Sequence, residues 1–228
     1  MHNQLWLVRH GETEWSTTGQ HTGLTDLPLT LVGKLHARQL ARVLVGPSFS
    51  LVLTSPLQRA RETCRLAGFG EHAIVDSNLR EWDYGAYEGR TTQQIRAQRP
   101  AWSLWRDGVP NGESIAQVGA RAQEIVDRVL ASSGDAIVFA HGHILRVVAA
   151  CWLGLPADAG RLFALSPASV SILGSERDTH VIIQWNTTAI DSTHVHIETP
   201  GPHSALTQTQ SAAFAPGNPP GQPGTSSR

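Results

Sequence analysis

The chain has 228 residues, of which 40% are hydrophobic and 16% charged, so it is long enough to bury the core of a globular α/β domain. A formal net charge of -1 gives no general reason to expect nucleic acid or an anionic membrane as a partner, so any anion site has to be local. Two cysteines are too few for a disulfide framework, and no apolar run approaches the roughly 18 residues of a membrane span, so we expect a cytoplasmic protein.

Short apolar runs alternate along the chain with segments of helical periodicity. The runs predicted as strands are residues 4–8, 50–54, 135–140, 170–173 and 181–185. Such alternation is typical of βαβ units, so we predict an α/β fold with a largely parallel sheet covered by helices. Residues 1–198 are assigned to this domain.

The first predicted strand runs directly into two polar side chains, Arg9 and His10, which are followed by Gly11. An Arg-His pair alone is more often an ordinary surface or core feature than a functional one. The strand at 135–140 ends in the same way, at His141 in the sequence HGH. Because the pattern recurs at matching strand ends, these residues become candidates for a common site.

The second predicted strand is followed by the sequence SPLQRARETC. Ser55 is a predicted N-cap that Gln58 completes as a capping box, which places Arg59 in the first turn of a helix. Ser114 and Gln117 form the same kind of box before a later helix. Arg59 therefore also lies just beyond a strand end.

Ligands of open α/β sheets bind outside the carboxyl ends of the strands. The polar side chains expected at that edge are two guanidinium groups and two imidazoles, from Arg9, His10, Arg59 and His141. Guanidinium forks match phosphate oxygens, and a helix N-terminus adds partial positive charge. The sequence therefore predicts a site for a phosphoryl group.

A metal site is the alternative interpretation of the histidines. His141 and His143 stand at alternate positions of a strand-to-helix turn, where two side chains seldom face one ion. A third ligand with recognisable spacing is not near them in the sequence. We therefore expect no metal and no other cofactor.

The sequence LREWDYGAYEG, residues 79–89, carries two candidate acids, Glu81 and Glu88. The aromatic residues between them, Trp82, Tyr84 and Tyr87, can desolvate a carboxyl group and so favour its protonated form. A solvated carboxylate in a turn is an equally good interpretation, because sequence does not show burial.

Residues 199–228 differ from the rest of the chain in composition. They are rich in Pro, Gly, Ser, Thr and Gln, which bury too little apolar surface to offset the entropy of ordering the backbone. We predict a disordered tail.

Four motifs resemble a known family when they are taken together. RHGETEW, TSPLQRARET, the glutamate of LREWDYG and the late HGH, over about residues 4–185, are similar to the histidine phosphatase superfamily, also called phosphoglycerate mutase-like. HTGLTDLPLT, LREWDYGAYEG, WRDGVPNGES and FAHGHILR most resemble its compact phosphatase branch, which includes sedoheptulose-bisphosphatase and the mycobacterial acid phosphatases. The resemblance implies a three-layer sandwich, with a mostly parallel central sheet and helices on both faces.

The resemblance also implies a role for each residue of the cluster. His10 is implied to be the nucleophile that becomes phosphohistidine, and Glu81 to be the proton donor. The phosphate contacts would be Arg9, Arg59 and His141.

Further residues are expected to contact substrate, namely Ser16, Thr22, Gly23, Gly142, Arg90 and Arg106. Ser16 stands where the mutases usually have Asn, and the stretch 90–110 is shorter than theirs, so mutase activity is disfavoured. Arg90 and Arg106 are the cations available for a second phosphate group, although solvated surface arginines are the other interpretation.

Three functions remain open from the sequence. The first is a phosphatase that hydrolyses small phosphomonoesters, sugar phosphates or bisphosphates, through a phosphohistidine. The second is a phosphoglycerate mutase, and the third is a non-catalytic domain that binds a phosphorylated ligand. Intact His10 and Glu81 argue against the third, because binding alone needs neither a nucleophile nor an acid. The expected partner is a small phosphorylated metabolite, while the oligomeric state stays open.

Overall fold

A mixed sheet forms the middle layer of the protein. The computed structural model describes residues 3–188. Its strands are β1 (Leu5–Arg9), β2 (Leu51–Thr54), β3 (Ile74–Val75), β4 (Ala136–Ala140), β5 (Ser169–Glu176) and β6 (Thr179–Thr188), in the order β3-β2-β4-β1-β5-β6. Neighbours among β1 to β4 are parallel, whereas β5 is antiparallel to β1 and to β6. The predicted α/β fold with a mostly parallel sheet is confirmed.

Two features of the sheet differ from the prediction. Strand β3 was not predicted, because it has two residues and both are exposed at the sheet edge. Strands β5 and β6 form an antiparallel pair at the other edge, because only two residues connect them and a parallel pair needs a long crossover.

The helices are α1 (Glu14–Thr18), α2 (Leu31–Val43), α3 (Gln58–Leu66), α4 (Thr92–Gln98), α5 (Leu104–Asp107), α6 (Ile115–Leu130) and α7 (Gly142–Trp152). Helix α6 begins as predicted, since the side chains of Ser114 and Gln117 each bond the other residue's backbone N–H. Three short 3₁₀ helices, Ser77–Leu79, Gly85–Tyr87 and Ala157–Leu162, complete the described helical structure.

Helix α3 begins differently from the prediction. Its N-cap is Leu57, which makes no side-chain capping bond. The Ser55 hydroxyl instead accepts the Leu57 N–H at 3.3 Å and bonds the His141 ring at 2.7 Å. The predicted capping box of Ser55 and Gln58 is therefore wrong, although Arg59 does lie in the first turn of α3.

The central strand β4 is buried on both faces, which gives the fold its three layers. Ala136, Val138 and Ala140 belong to a core cluster that includes the apolar faces of α6 and α7. Ile137 and Phe139 belong to a second cluster, with residues of α2 and α3. Burial of a side chain such as Phe139 contributes about 1.5–3 kcal/mol to the stability of the fold. The two helical layers therefore hold β4, and with it the strand end that carries the site, in place.

Cys64 and Cys151 are both free thiols, and burial raises the pKa of Cys64 to about 12. Within residues 3–188, none of the helices has the length and apolarity to span a bilayer. The predicted tail at 199–228, and the last ten residues of the predicted domain, lie outside the described residues.

Candidate active site

The side chains that follow β1, β2 and β4 meet at the carboxyl edge of the sheet. The ring centroids of His10 and His141 are 5.1 Å apart, and Arg59 donates from Nε to His141 Nδ1 at 3.0 Å. His10 is 5% exposed, and Arg59 and His141 are fully buried. The structure thus brings together side chains that the sequence predicts to converge at the carboxyl ends of the strands.

The surroundings of His10 leave one ring nitrogen available for chemistry. Its Nδ1 lies 2.7 Å from the Gly11 carbonyl oxygen, which can only accept a hydrogen bond, so the proton is on Nδ1 and Nε2 keeps its lone pair. Burial, with the charges of Arg59 and Arg9, holds the pKa of His10 well below 6.5. A neutral imidazole with a free Nε2 is the form that attacks phosphorus.

Arg9 offers an unsatisfied cationic donor beside His10. Its Nη1 donates to the Leu165 carbonyl, whereas its Nε is buried and has no hydrogen-bond partner among residues 3–188. Gly142 packs against this guanidinium, since a Cβ there would lie 3.3 Å from Arg9 Cζ. An unpaired buried N–H group is costly, and a phosphate oxygen is the kind of acceptor that would satisfy it.

Arg59 and His141 have more protein partners than the sequence suggests. Arg59 donates to carbonyls of loop 22–25 at 2.8–3.1 Å, in addition to its bond with His141. The other nitrogen of His141 is held by Ser55. Neither side chain lines the cavity beside His10.

Glu81 lies at the start of α7, where helix N–H groups bind its carboxylate. It accepts the N–H groups of His143 and Ile144 at 2.9 Å and that of Trp82 at 3.0 Å. Burial raises the pKa of Glu81, but the hydrogen bonds and charge of His143 outweigh it and hold the pKa well below 4.5. The sequence left open a desolvated acid and a solvated carboxylate; Glu81 is buried, as in the first interpretation, but its lowered pKa favours the carboxylate, as in the second, because the helix N-terminus stabilises the negative charge.

A cavity of about 200 Å³ opens beside His10. The predicted site residues that line it are Arg9, His10, Ser16, Thr22, Glu81 and Gly142. A larger groove, of about 840 Å³, follows α3 and contains none of the predicted site residues. The smaller cavity is therefore the candidate active site, because the groups with chemistry face it.

Five polar side chains of this cavity were not predicted to bind substrate, namely Gln20, His21, Tyr84, His143 and Arg146. Tyr84 Oη lies 2.6 Å from His143 Nδ1, which in turn lies 3.7 Å from a Glu81 oxygen. Burial and the neighbouring His143 lower the pKa of His21 to about 4, so this ring is neutral near pH 7. Residues 3–188 contain no group of three or more His, Cys, Asp or Glu side chains that could hold a metal ion.

Arg146 provides the second cation of the cavity, where the sequence suggested Arg90 or Arg106. Neither of those two lines the cavity, because Arg106 pairs with Asp107 at 2.8 Å and Arg90 donates to the Gln98 side chain. Helical spacing could have identified Arg146 from the sequence, because it follows Gly142 by four residues and so lies on the same face of α7.

The loop residues and Ser16 are held mainly by local bonds. The Gly23 N–H donates to Glu88 at 2.8 Å, so Thr22 is the member of the predicted pair that lines the cavity. Glu88, the alternative acid, is thereby a support of the loop. Ser16 exchanges hydrogen bonds with Thr13 in the capping box of α1, although it also borders the cavity.

Comparisons with known sequences agree with this geometry. Residues 5–188 match the model of the histidine phosphatase superfamily, branch 1. An acid phosphatase of Mycobacterium tuberculosis is 44% identical over 179 residues, which cover 76% of this chain and 87% of that protein. Sedoheptulose 1,7-bisphosphatase of Saccharomyces cerevisiae is 38% identical over 181 residues, 65% of this chain and 67% of that protein. A "Probable phosphoglycerate mutase" of Serratia proteamaculans is 33% identical over 203 residues, 84% and 94% of the two chains.

Solved structures show the same arrangement of the chain. A Mycobacterium tuberculosis protein superposes with a TM-score of 0.78 at 40% identity, covering 82% of this chain and 98% of that one. A mycobacterial glucosyl-3-phosphoglycerate phosphatase in complex with VO3 superposes with a TM-score of 0.74 at 28% identity, covering 82% and 100%. The motifs, the fold and these matches agree, and the chain belongs to branch 1 of the histidine phosphatase superfamily.

Proposed function

We propose that the protein is a phosphatase that hydrolyses small phosphomonoesters through a phosphohistidine at His10. The proposal rests on the state of His10. This ring is buried and neutral, and its Nδ1 is bound to the Gly11 carbonyl. It borders the cavity together with Arg9, whose Nε has no hydrogen-bond partner among the described residues. Phosphatases among the relatives and the solved structures support the same reaction class. The proposed partner is a small phosphorylated metabolite, which suits a cavity of about 200 Å³.

The first half of the reaction transfers the phosphoryl group to the protein. His10 Nε2 attacks phosphorus in line with the ester oxygen, and the bond from phosphorus to that oxygen breaks. The guanidinium of Arg9 stabilises the charge on the equatorial oxygens, with Arg59 and His141 proposed as further contacts. The substrate binds as its monoanion, and Glu81 relays that proton to the departing alkoxide, so the alcohol leaves and the carboxylate remains.

The second half returns the protein to its starting state. The Glu81 carboxylate accepts a proton from water while the water oxygen attacks phosphorus, and the bond between phosphorus and Nε2 breaks. Glu81 passes that proton to the product, inorganic phosphate leaves as its monoanion, and the protein again has a neutral His10 with its proton on Nδ1 and a Glu81 carboxylate. Splitting the displacement into two transfers lets one carboxyl group act first as acid and then as base.

A phosphate-release assay separates this function from the mutase. With a panel of small phosphomonoesters and a chelator in the buffer, we expect steady release of inorganic phosphate without a bisphosphate primer. Conversion of 3-phosphoglycerate into 2-phosphoglycerate with little free phosphate would favour the mutase instead. Absence of both products, with tight binding of phosphate esters, would favour a binding domain. Activity that returns only when a metal is added would contradict metal-independent catalysis.

Arg146 favours a sugar bisphosphatase as the more specific function. It is a cavity cation in addition to Arg9, and its guanidinium lies 4.7 Å from the Trp105 ring, which limits its movement. A second phosphate on the substrate would meet this group. A hydrogen bond to a charged group contributes about 1.5–3 kcal/mol, which corresponds to roughly 10- to 100-fold in affinity.

We therefore expect native protein to prefer a sugar bisphosphate over its monophosphate by about tenfold or more in kcat/KM, and Arg146→Gln to lose this preference. The matched controls are Arg90→Ala and Arg106→Ala, which should keep it because neither side chain lines the cavity. Equal kcat/KM of native protein on both substrates would contradict the sugar bisphosphatase and favour a phosphatase of broad substrate specificity. Loss of the preference in a control variant would show that the arginine replaced in that variant contacts the second phosphate group.

A further inference from the structure

Arg121 is an almost buried cation outside the candidate active site. It lies in the second turn of α6, is 9% exposed and does not line the cavity. Its Nε and Nη2 donate to the two carboxylate oxygens of Glu113, both at 2.9 Å. Its Nη1 donates to the carbonyls of Asn78 at 2.7 Å and Arg80 at 2.6 Å. A buried guanidinium with a bidentate partner holds its acceptors in a fixed geometry.

Glu113 extends this arrangement to the residues that follow Glu81. One of its carboxylate oxygens also accepts the Asp83 N–H at 2.9 Å. Its carbonyl accepts the Trp82 indole N–H at 2.8 Å, and its own N–H donates to the Asp83 carbonyl at 3.0 Å. The backbone is therefore held on both sides of Glu81, by Arg121 before it and by Glu113 after it.

The side chain of Glu81 has a different support from its backbone. Its oxygens accept N–H groups of the first turn of α7, whereas its chain segment is bound to α6 and to the loop before α6. We propose that the Arg121–Glu113 ion pair positions Glu81 so that its carboxyl group reaches the leaving oxygen. This inference rests on the proposed phosphatase function. A displacement of about 1 Å in such a group can cost about 100-fold in rate, so a support outside the cavity can control proton transfer.

A positioning role has a consequence that a general stabilising role lacks. Alkyl phosphates need a proton on the departing oxygen, whereas an aryl phosphate such as p-nitrophenyl phosphate leaves as a stable anion. Loosening Glu81 therefore slows transfer from alkyl substrates and spares aryl substrates. The ratio of the two kcat/KM values does not depend on the fraction of folded protein, so partial unfolding of a variant leaves it unchanged.

The experiment compares kcat/KM for glycerol phosphate and p-nitrophenyl phosphate in full-length Arg121→Lys and Glu113→Gln. Each variant should lower the alkyl-to-aryl ratio by about tenfold, because neither can form the bidentate ion pair. The matched control is Arg128→Lys, about two turns further along α6, whose ion pair with Asp76 is 2.7 Å long. Its ratio should equal that of native protein.

A second comparison tests whether the effect passes through Glu81. In Glu81→Gln the ratio is already low, and adding Arg121→Lys should leave it unchanged. Equal losses on both substrates in the Arg121 and Glu113 variants, or a further fall of the ratio in the double variant, would overturn the positioning role. Native protein that releases phosphate from neither ester would overturn the proposed function, and the inference with it.

Discussion

Replacement of His10 by alanine should abolish phosphate release from every phosphomonoester that the native protein hydrolyses, with a loss on the order of 10⁴-fold or more. Gly11 binds Nδ1 of this ring, so Nε2 is the atom that we propose to receive the phosphoryl group. The nearby His141 is a poor substitute, because Arg59 and Ser55 occupy its two nitrogens. Without a covalent acceptor, water has to attack the anionic ester directly, beside the Glu81 carboxylate.

Rapid-quench labelling with a ³²P-phosphomonoester measures the intermediate itself. Native protein should carry an acid-labile, base-stable label on His10, and His10→Ala should carry none. The matched control is His72→Ala, which removes an exposed imidazole and should retain both label and turnover. Thermal unfolding shows that each variant is folded. Substantial turnover by a folded His10→Ala protein would falsify the covalent mechanism.

The convergence of the cluster could be predicted because it depends on topology alone. Arg9 and His141 each follow a short run of apolar residues, and parallel neighbours bring their carboxyl ends to the same edge. The position of Arg59 could be predicted because it required only that a helix begin soon after β2. The predicted helix exists, but it begins at Gln58 with Leu57 as its N-cap, because Ser55 bonds His141 and does not cap α3.

The electrostatic state of the cluster could not be predicted, because it depends on partners that are distant in sequence. The pKa of Glu81 is lowered because the first turn of α7, distant in sequence, directs N–H groups at its carboxylate. Arg59 contacts loop 22–25, and no local pattern indicates which carbonyls it binds. Arg146 is the exception, since helical spacing from Gly142 was available in the sequence.

The ionised state of Glu81 determines how a proton reaches the leaving oxygen. The pKa of Glu81 is held well below 4.5 in the free protein, so in the proposed mechanism the proton enters with the substrate as the phosphate monoanion. The second pKa of a phosphomonoester is about 6. Above that pH the monoanion fraction falls about tenfold per unit, so kcat/KM for an alkyl phosphate should fall with it. An aryl phosphate needs no proton, so its profile should be flatter.

Glu81→Gln should lower kcat/KM for an alkyl phosphate by about 10²- to 10⁴-fold, which is the usual contribution of a general acid. For an aryl phosphate the loss should stay within about tenfold, because its leaving oxygen hardly needs a proton. The measurement is kcat/KM, which reports only the steps up to phosphorylation of His10. It is therefore insensitive to the later hydrolysis, in which Glu81 is proposed to act as the base. An amide neither donates nor accepts the transferred proton, so the alkyl profile should also lose its fall above pH about 6.

The comparison variant for this prediction is Glu88→Gln, which changes the other candidate acid of the same motif. Glu88 accepts the N–H groups of Gly23 and Thr25, so its loss should loosen loop 22–25 and slow both substrate types to a similar degree. A selective alkyl defect in Glu88→Gln, with equal losses in Glu81→Gln, would transfer the role of acid to Glu88. The selective defect should belong to Glu81, because its carboxylate lines the cavity with His10 and that of Glu88 does not.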